Sequence, residues 1–173
     1  MTFRKKVLQK MKTLFTKYTR YNLWANQRVC DFIKNNLSEE QLNKEIISSF
    51  PSLKQTLYHI WDAENIWLKR LQGESLSTFP SRDFKGTSEA GINSFLSNSK
   101  KFSDVISSKD DSFFQSSFKY TNIKGVQFES KASDIIQHVV NHNSYHRGQI
   151  ITMFRQLGFT ELFSTDYIAF CRE

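Results

Sequence analysis

Residues 131–157 read KASDIIQHVVNHNSYHRGQIITMFRQL. Ile135, Val139, His142, His146, Ile150, Met153 and Leu157 recur there at spacings of three and four, the period of an amphipathic helix. Gly158 follows at once and marks its end. Three of the four histidines in the chain, His138, His142 and His146, lie four residues apart on this one helix. Neighbours at that spacing share a face and sit about 6 Å apart along the axis, so a pair can reach one metal ion. All three cannot: His138 and His146 are about 12 Å apart along the axis, whereas each imidazole must come within about 2.1 Å of the ion.

At about 100° per residue, His146 falls roughly 50° from the mean direction of the apolar residues, His142 roughly 90° and His138 roughly 130°. The inward pair is therefore His142 and His146, with His138 toward the rim. A third ligand must come from another segment, and His59 is the only other histidine. The bland alternative is that each histidine is a polar residue satisfied by a backbone carbonyl, and the spacing alone leaves both open.

Three further segments carry the helical period. Phe15, Tyr18, Tyr21, Ala25, Val29, Phe32 and Ile33 mark a helix from about Lys12 to Asn35. A second begins at Ser52, where Ser52-Leu53-Lys54-Gln55 has the form of a capping box. It runs through Leu57, Ile60, Trp61 and Leu68 to Leu71 and stops at Gly73. A third spans about Ser88 to Ser107 on Ile92, Phe95, Leu96, Phe102 and Ile106. Four such segments predict an all-α four-helix bundle. Residues 36–51 and 108–130 are long connections, and the second contains a predicted short hairpin turning at 121–125. One domain over 1–173 is expected, with 1–11 as a basic N-terminal extension.

Charge and composition narrow the function classes. Hydrophobic residues are 39% and charged residues 24%, as in globular rather than disordered chains. No apolar run approaches the roughly 20 residues that span a bilayer, so no membrane partner is expected. The lysine-interrupted start, MTFRKKVLQKMKTLF, does not read as a secretory signal. Cys30 and Cys171 are too few for a disulfide framework, and a cytoplasmic location with both thiols reduced is expected. Net charge is +7, and residues 1–30 hold eight basic residues and no acid. Without an aromatic-interleaved basic motif, that excess reads as a solvated face rather than a specific nucleic-acid site.

The residues of three helices together resemble the DinB-like (DinB/YfiT) family of metal-dependent proteins. The resemblance runs from about Leu14 to Arg172. Its carriers are Tyr21-Asn22-Leu23-Trp24-Ala25-Asn26, then Leu57-Tyr58-His59-Ile60 with Ala63-Glu64 and Trp67, and the histidine-rich stretch from His138 to Gln149 that contains His146-Arg147-Gly148-Gln149. It implies a four-helix bundle, usually a homodimer, holding one divalent metal ion, zinc or nickel, on one histidine of the second helix and two of the last. The matching residues are His59, His142 and His146, the trio that spacing also selects. It further implies small-molecule chemistry: thiol S-transfer or thiol-dependent isomerisation with a low-molecular-weight thiol, or hydrolysis. A non-catalytic metal- or ligand-binding stress protein is the alternative.

Other polar residues near the apolar faces are candidates for supporting roles. Glu64 and Arg147 are the candidate catalytic groups, Arg147 for an anionic substrate group or, with Gly148 permitting close approach, for helix packing. Asn22, Asn26, His138 and Tyr145 are candidates to orient the metal ligands or a bound water; ordinary inter-helix hydrogen bonding is an equal reading of the two asparagines. No nucleophile elbow, phosphate-binding glycine loop or zinc-finger pattern is present in the sequence.

Overall fold

A computed structural model describes residues 3–122 and 124–173, with side chains from Met11 onward. Four long helices form the frame: α1 (Phe3–Asn36), α3 (Leu53–Leu71), α5 (Ser88–Ser108) and α6 (Ala132–Gln156). Short helices α2 (Glu39–Asn43), α4 (Pro80–Asp83) and α7 (Tyr167–Phe170) and a 3₁₀ turn at Phe113–Gln115 occupy the connections and the C-terminus. The all-α bundle expected from periodicity is therefore the observed architecture. α1 begins at Phe3 rather than near Lys12. The expected basic extension, residues 1–11, falls mostly on positions whose side chains lie outside the described residues.

Local chemistry sets the helix ends. Ser52 caps α3 by accepting from the Gln55 amide at 3.2 Å, which is one half of the expected box. A complete reciprocal box forms one connection earlier, between Ser38 and Gln41 at the start of α2. Gly73 and Gly158 follow the ends of α3 and α6 with φ of 81° and 96°; an L side chain is strained there, so glycine terminates both helices cheaply.

α1 packs against α5 and α6, and α3 packs against the same two. Thus α1 lies diagonally across from α3, and α5 from α6. The two connections read as long, α1 to α3 and α5 to α6, are those that must cross a diagonal, which short loops cannot do. The second carries the predicted hairpin, β1 (Ser117–Thr121) paired antiparallel with β2 (Gln127–Lys131), Tyr120 opposite Phe128. Ile123, in its turn, lies outside the described residues.

The core has two large halves and a small third cluster of Tyr21, Ala25 and Val140. One half gathers Val29, Ile33, Leu57, Ile60, Phe95, Ile150 and Phe154. The other gathers Phe15, Leu68, Phe102, Ile106, Ile135 and Val139. Fully burying side chains of this size contributes about 1.5–3 kcal/mol each. On every long helix a polar residue separates the two halves: Asn22 and Asn26 on α1, Glu64 on α3, Asn98 and Ser99 on α5, Asn143 and Arg147 on α6, all buried. A polar layer crosses the middle of the bundle, at the level of the histidines.

Candidate metal centre

His142 and His146 sit one turn apart on α6, and His59 faces them from α3. Nε2 of His59 lies 3.0 Å from Nε2 of His142. The His146 ring centroid is 4.7 Å from that of His59 and 4.5 Å from that of His142. One ligand atom from each of the three lies within 4.8 Å of the others. Donors bound at about 2.0–2.1 Å to one tetrahedral ion stand about 3.3 Å apart, so small ring rotations bring this trio to a single ion. The burial order follows the angles read from sequence: His146 is buried, His142 half-buried and His138 exposed. His138 stacks edge-on against Trp67, at 5.1 Å, and stays outside the trio.

The neighbours of the trio prepare it for a cation. Gln149 Oε1 accepts from His146 Nδ1 at 2.7 Å, while its Nε2 donates to Ser49 Oγ at 2.6 Å. With the amide oxygen of Gln149 facing Nδ1, that nitrogen is the donor and the Nε2 lone pair is left free. Phe50 stacks on His59 at 4.2 Å. Burial, with the nearby His146, lowers both His59 and His142 from the ordinary value of 6.5 to about 4. Burial also lowers His146, against the Gln149 hydrogen bond. Neutral imidazole is the form that binds metals, so the apoprotein holds the ligands deprotonated near neutrality.

These shifts have a consequence for the metal-free protein. Each folded-state pKa is depressed, so the unfolded chain takes up protons first as pH falls. The stability from His59 and His142 is complete above about 6.5 and is lost as pH drops toward 4. Glu64 runs in the opposite sense: burial raises it from 4.5 to about 7, so its contribution falls as pH rises across that window. Comparing metal-free parent with His142→Gln isolates the histidine. Urea melts between pH 6.5 and 4 are expected to show the steeper acid loss in the parent; parallel curves would refute the neutral assignment.

The buried polar layer forms one hydrogen-bonded unit. Asn22 donates to Glu64 Oε1 at 2.7 Å, and Asn143 donates to the same oxygen and to Asn22 Oδ1, each at 3.1 Å. Arg147 Nη1 donates to Asn22 Oδ1 and Asn26 Oδ1, both at 2.8 Å. Its Nη2 donates to Ser144 Oγ at 2.8 Å and to Tyr21 OH at 3.4 Å. Ser99 and Asn98 donate to Glu64 Oε2, and Asn26 donates to Ser99 at 2.9 Å. Asn22 thus joins the carboxylate of Glu64 to the guanidinium of Arg147.

The other sequence candidates are distributed unevenly around the trio. Glu64 and Arg147 are 0% and 1% exposed. The guanidinium that sequence offered to an anionic substrate is already committed to four protein groups inside the bundle. The packing reading suits Arg147 better, but not through Gly148: a Cβ there would meet nothing within 4 Å, so close approach is not its role. Asn22 and Asn26 brace Glu64 and Arg147, and hydrogen-bond to none of the three histidines. The link from this layer to the trio is Asn143, whose Oδ1 lies 3.5 Å from His142 Nδ1, at the limit of a hydrogen bond. Tyr145 is 63% exposed, with its ring 5.0 Å from that of His146.

Sequence reasoning assigned no role to Asn143, Gln149, Phe50 or Ser49. Gln149 had a usable signal, because residues at i and i+3 on a helix touch. Phe50 and Ser49 lie in a connection, where no periodicity points a side chain. Beside His59 opens a cleft of about 470 Å³ whose walls include Phe50, Asp62, Trp67, Arg70 and Phe79. Glu64 and Arg147 do not line it. Cys30 is buried, which pushes its thiol up and leaves it inert.

Comparison with known proteins bears on the family and the fold. Residues 9–172 match the DinB family. Protein DinB of Bacillus subtilis (strain 168) is 30% identical over 154 residues, covering 85% of this chain and 87% of that protein. The crystal structure of a DinB-like protein from Bacillus cereus ATCC 10987 superposes with a TM-score of 0.66 at 19% identity, covering 87% of this chain and 95% of the other, a likeness of fold. With nearly its whole length matched, the chain belongs to the DinB family.

Proposed function

We propose that the protein is a metal-dependent enzyme of small-molecule chemistry, with one divalent ion, zinc or nickel, held by His59, His142 and His146. The observation that carries this reading is the convergence of three ligand atoms within 4.8 Å from two helices that are far apart in sequence. Three imidazoles are the protein ligand count of catalytic rather than closed structural sites, which take four. A divalent ion so held supplies Lewis acidity, able to polarise a substrate oxygen or to stabilise a thiolate. The chain itself does the rest: Gln149 accepts from His146 Nδ1, Phe50 walls His59, and the cleft lined by His59, the one histidine of the trio that reaches it, offers a substrate room.

Among the reactions open to such a centre, transfer of a low-molecular-weight thiol leads, with thiol-dependent isomerisation and hydrolysis behind it. The cleft favours small-molecule chemistry over a protein that only holds metal, which needs no adjoining cavity; a ligand-binding protein without catalysis is the second reading. Elemental analysis of the untagged protein is the test. About one zinc or nickel per chain in the parent and little in His59→Ala is the expected result. A parent that takes up neither metal after incubation would end the metalloenzyme reading.

A further inference from the structure

α3 carries a second functional group on the face of His59. Arg70 stands eleven residues on, three turns and about 20° around the helix, with its Cα about 16 Å further along the axis. Helical side chains lean toward the N-terminus. Accordingly, the Arg70 guanidinium lies back over Trp67, on the side toward His59, with Cζ 4.4 Å from the Trp67 ring. Tyr120 of the hairpin meets it from an adjacent side, its ring 4.5 Å from Cζ and edge-on to that of Trp67. The cation therefore sits in the corner made by two near-perpendicular rings that touch each other, 5.2 Å between centroids, which restricts its fork on that side.

That cation has no counter-ion. None of the salt bridges among the described residues involves Arg70, and its buried Nε has no hydrogen-bond partner. A half-buried guanidinium with unfilled donors is incomplete by itself. It lines the same cleft of about 470 Å³ as His59, between apolar walls that include Phe50, Ile66 and Phe79. Among the described lining residues the one carboxylate is Asp62, a single turn from His59. It is already taken by Ser81, which donates to it from its backbone amide at 2.9 Å and its hydroxyl at 2.6 Å. One free cation at the far end and one acid near the histidines suit a monoanion; a phosphate dianion would want a second cation and would be repelled by Asp62.

We propose that Arg70 is the anion-binding end of the substrate cleft, taking the carboxylate of an elongated small molecule whose other end reaches the metal centre at His59, the one histidine of the trio that lines the cleft. The apolar walls between the two ends take an aliphatic or aromatic body. The second half of this statement rests on the metal-centre reading above; the first half does not.

The test is titration calorimetry on zinc-loaded protein, parent and Arg70→Gln, with metal content and thermal melting checked in both. The probes are ω-sulfanylalkanoates of increasing chain length and the ω-sulfanyl alcohols that match them. The parent is expected to prefer the acid by about 10- to 100-fold, most strongly at a chain spanning about 12–16 Å. In Arg70→Gln the preference should vanish, while metal content and affinity for the alcohols hold. Arg70→Lys, which keeps the charge without the fork, should recover part of it. A parent that takes up one zinc but does not distinguish acid from alcohol overturns the proposal and leaves the metal centre standing. So does a preference that persists in Arg70→Gln. Should the parent bind no metal, plain alkanoates against alkanols on the same proteins decide Arg70 alone: a carboxylate preference lost in Arg70→Gln upholds the anion site, and no preference ends it.

Discussion

Replacing Arg147 with methionine is expected to destabilise the protein by about 3–5 kcal/mol, the range for removing one of two compensating buried charges, here joined through Asn22 rather than in direct contact. Three effects add up in that number. Asn22 Oδ1 and Asn26 Oδ1 each lose a charge-assisted donor at 2.8 Å and become partly unsatisfied inside the core. Glu64, 0% exposed, loses the one full positive charge that offsets its burial. The cation also leaves the face of Tyr21, which it covers at 5.4 Å. Methionine fills comparable volume, so the loss reflects polarity rather than a cavity.

Glu64→Gln is the informative partner. The amide keeps the shape and one acceptor, and is expected to be milder, about 1–3 kcal/mol. Because the two residues share Asn22, the double variant should fall short of the sum by about 0.5–3 kcal/mol. Urea denaturation of the four proteins gives the cycle directly. A loss below about 1 kcal/mol for Arg147→Met, or strict additivity, would show that the layer is not the coupled unit described here.

The second large effect concerns the histidines one at a time. His142→Ala or His146→Ala is expected to abolish stoichiometric metal binding, because either leaves a divalent ion two imidazoles. His138→Ala should leave it almost unchanged, although all three lie on one face-repeat of the same helix. Gln149→Ala should fall between, with affinity reduced about 10- to 100-fold, as for other groups that orient a ligating histidine. Competition against a chromophoric chelator ranks the four variants. Equal losses in the three histidine variants would defeat the assignment of the inward pair, and full binding by His146→Ala would remove it from the trio.

Much of this was legible in the chain because helices are local. Gly73 and Gly158 announced where α3 and α6 stop, since the left-handed backbone beyond a helix belongs to glycine whatever surrounds it. The rotation of 100° per residue ordered His146, His142 and His138 by burial without any knowledge of the neighbours. A polar residue interrupting an apolar stripe was likewise visible at Asn22, Asn26 and Glu64. The DinB resemblance reached the same fold from a different direction.

What could not be read was which interruption answers which. Asn22 and Glu64 are 42 residues apart, and Asn22 and Arg147 are 125 apart; only the diagonal placement of α1 against α3 makes the first pair meet. Sequence therefore offered Arg147 to a substrate, whereas packing commits both of its terminal nitrogens to protein groups and leaves only the buried Nε without a partner. Arg70 is the converse. Its sequence context is an ordinary basic residue in the last turn of a helix, and it drew no notice. It becomes distinctive once the hairpin sets Tyr120 edge-on to Trp67, with the guanidinium against both rings and no salt bridge to it among the described residues. The sequence by itself determined the four helices, their inward faces and the three histidines, because these follow from the geometry of a single helix. Tertiary structure alone decided which polar residues are satisfied and which cation is left over, because a hydrogen bond or an ion pair depends on a partner that local periodicity cannot supply.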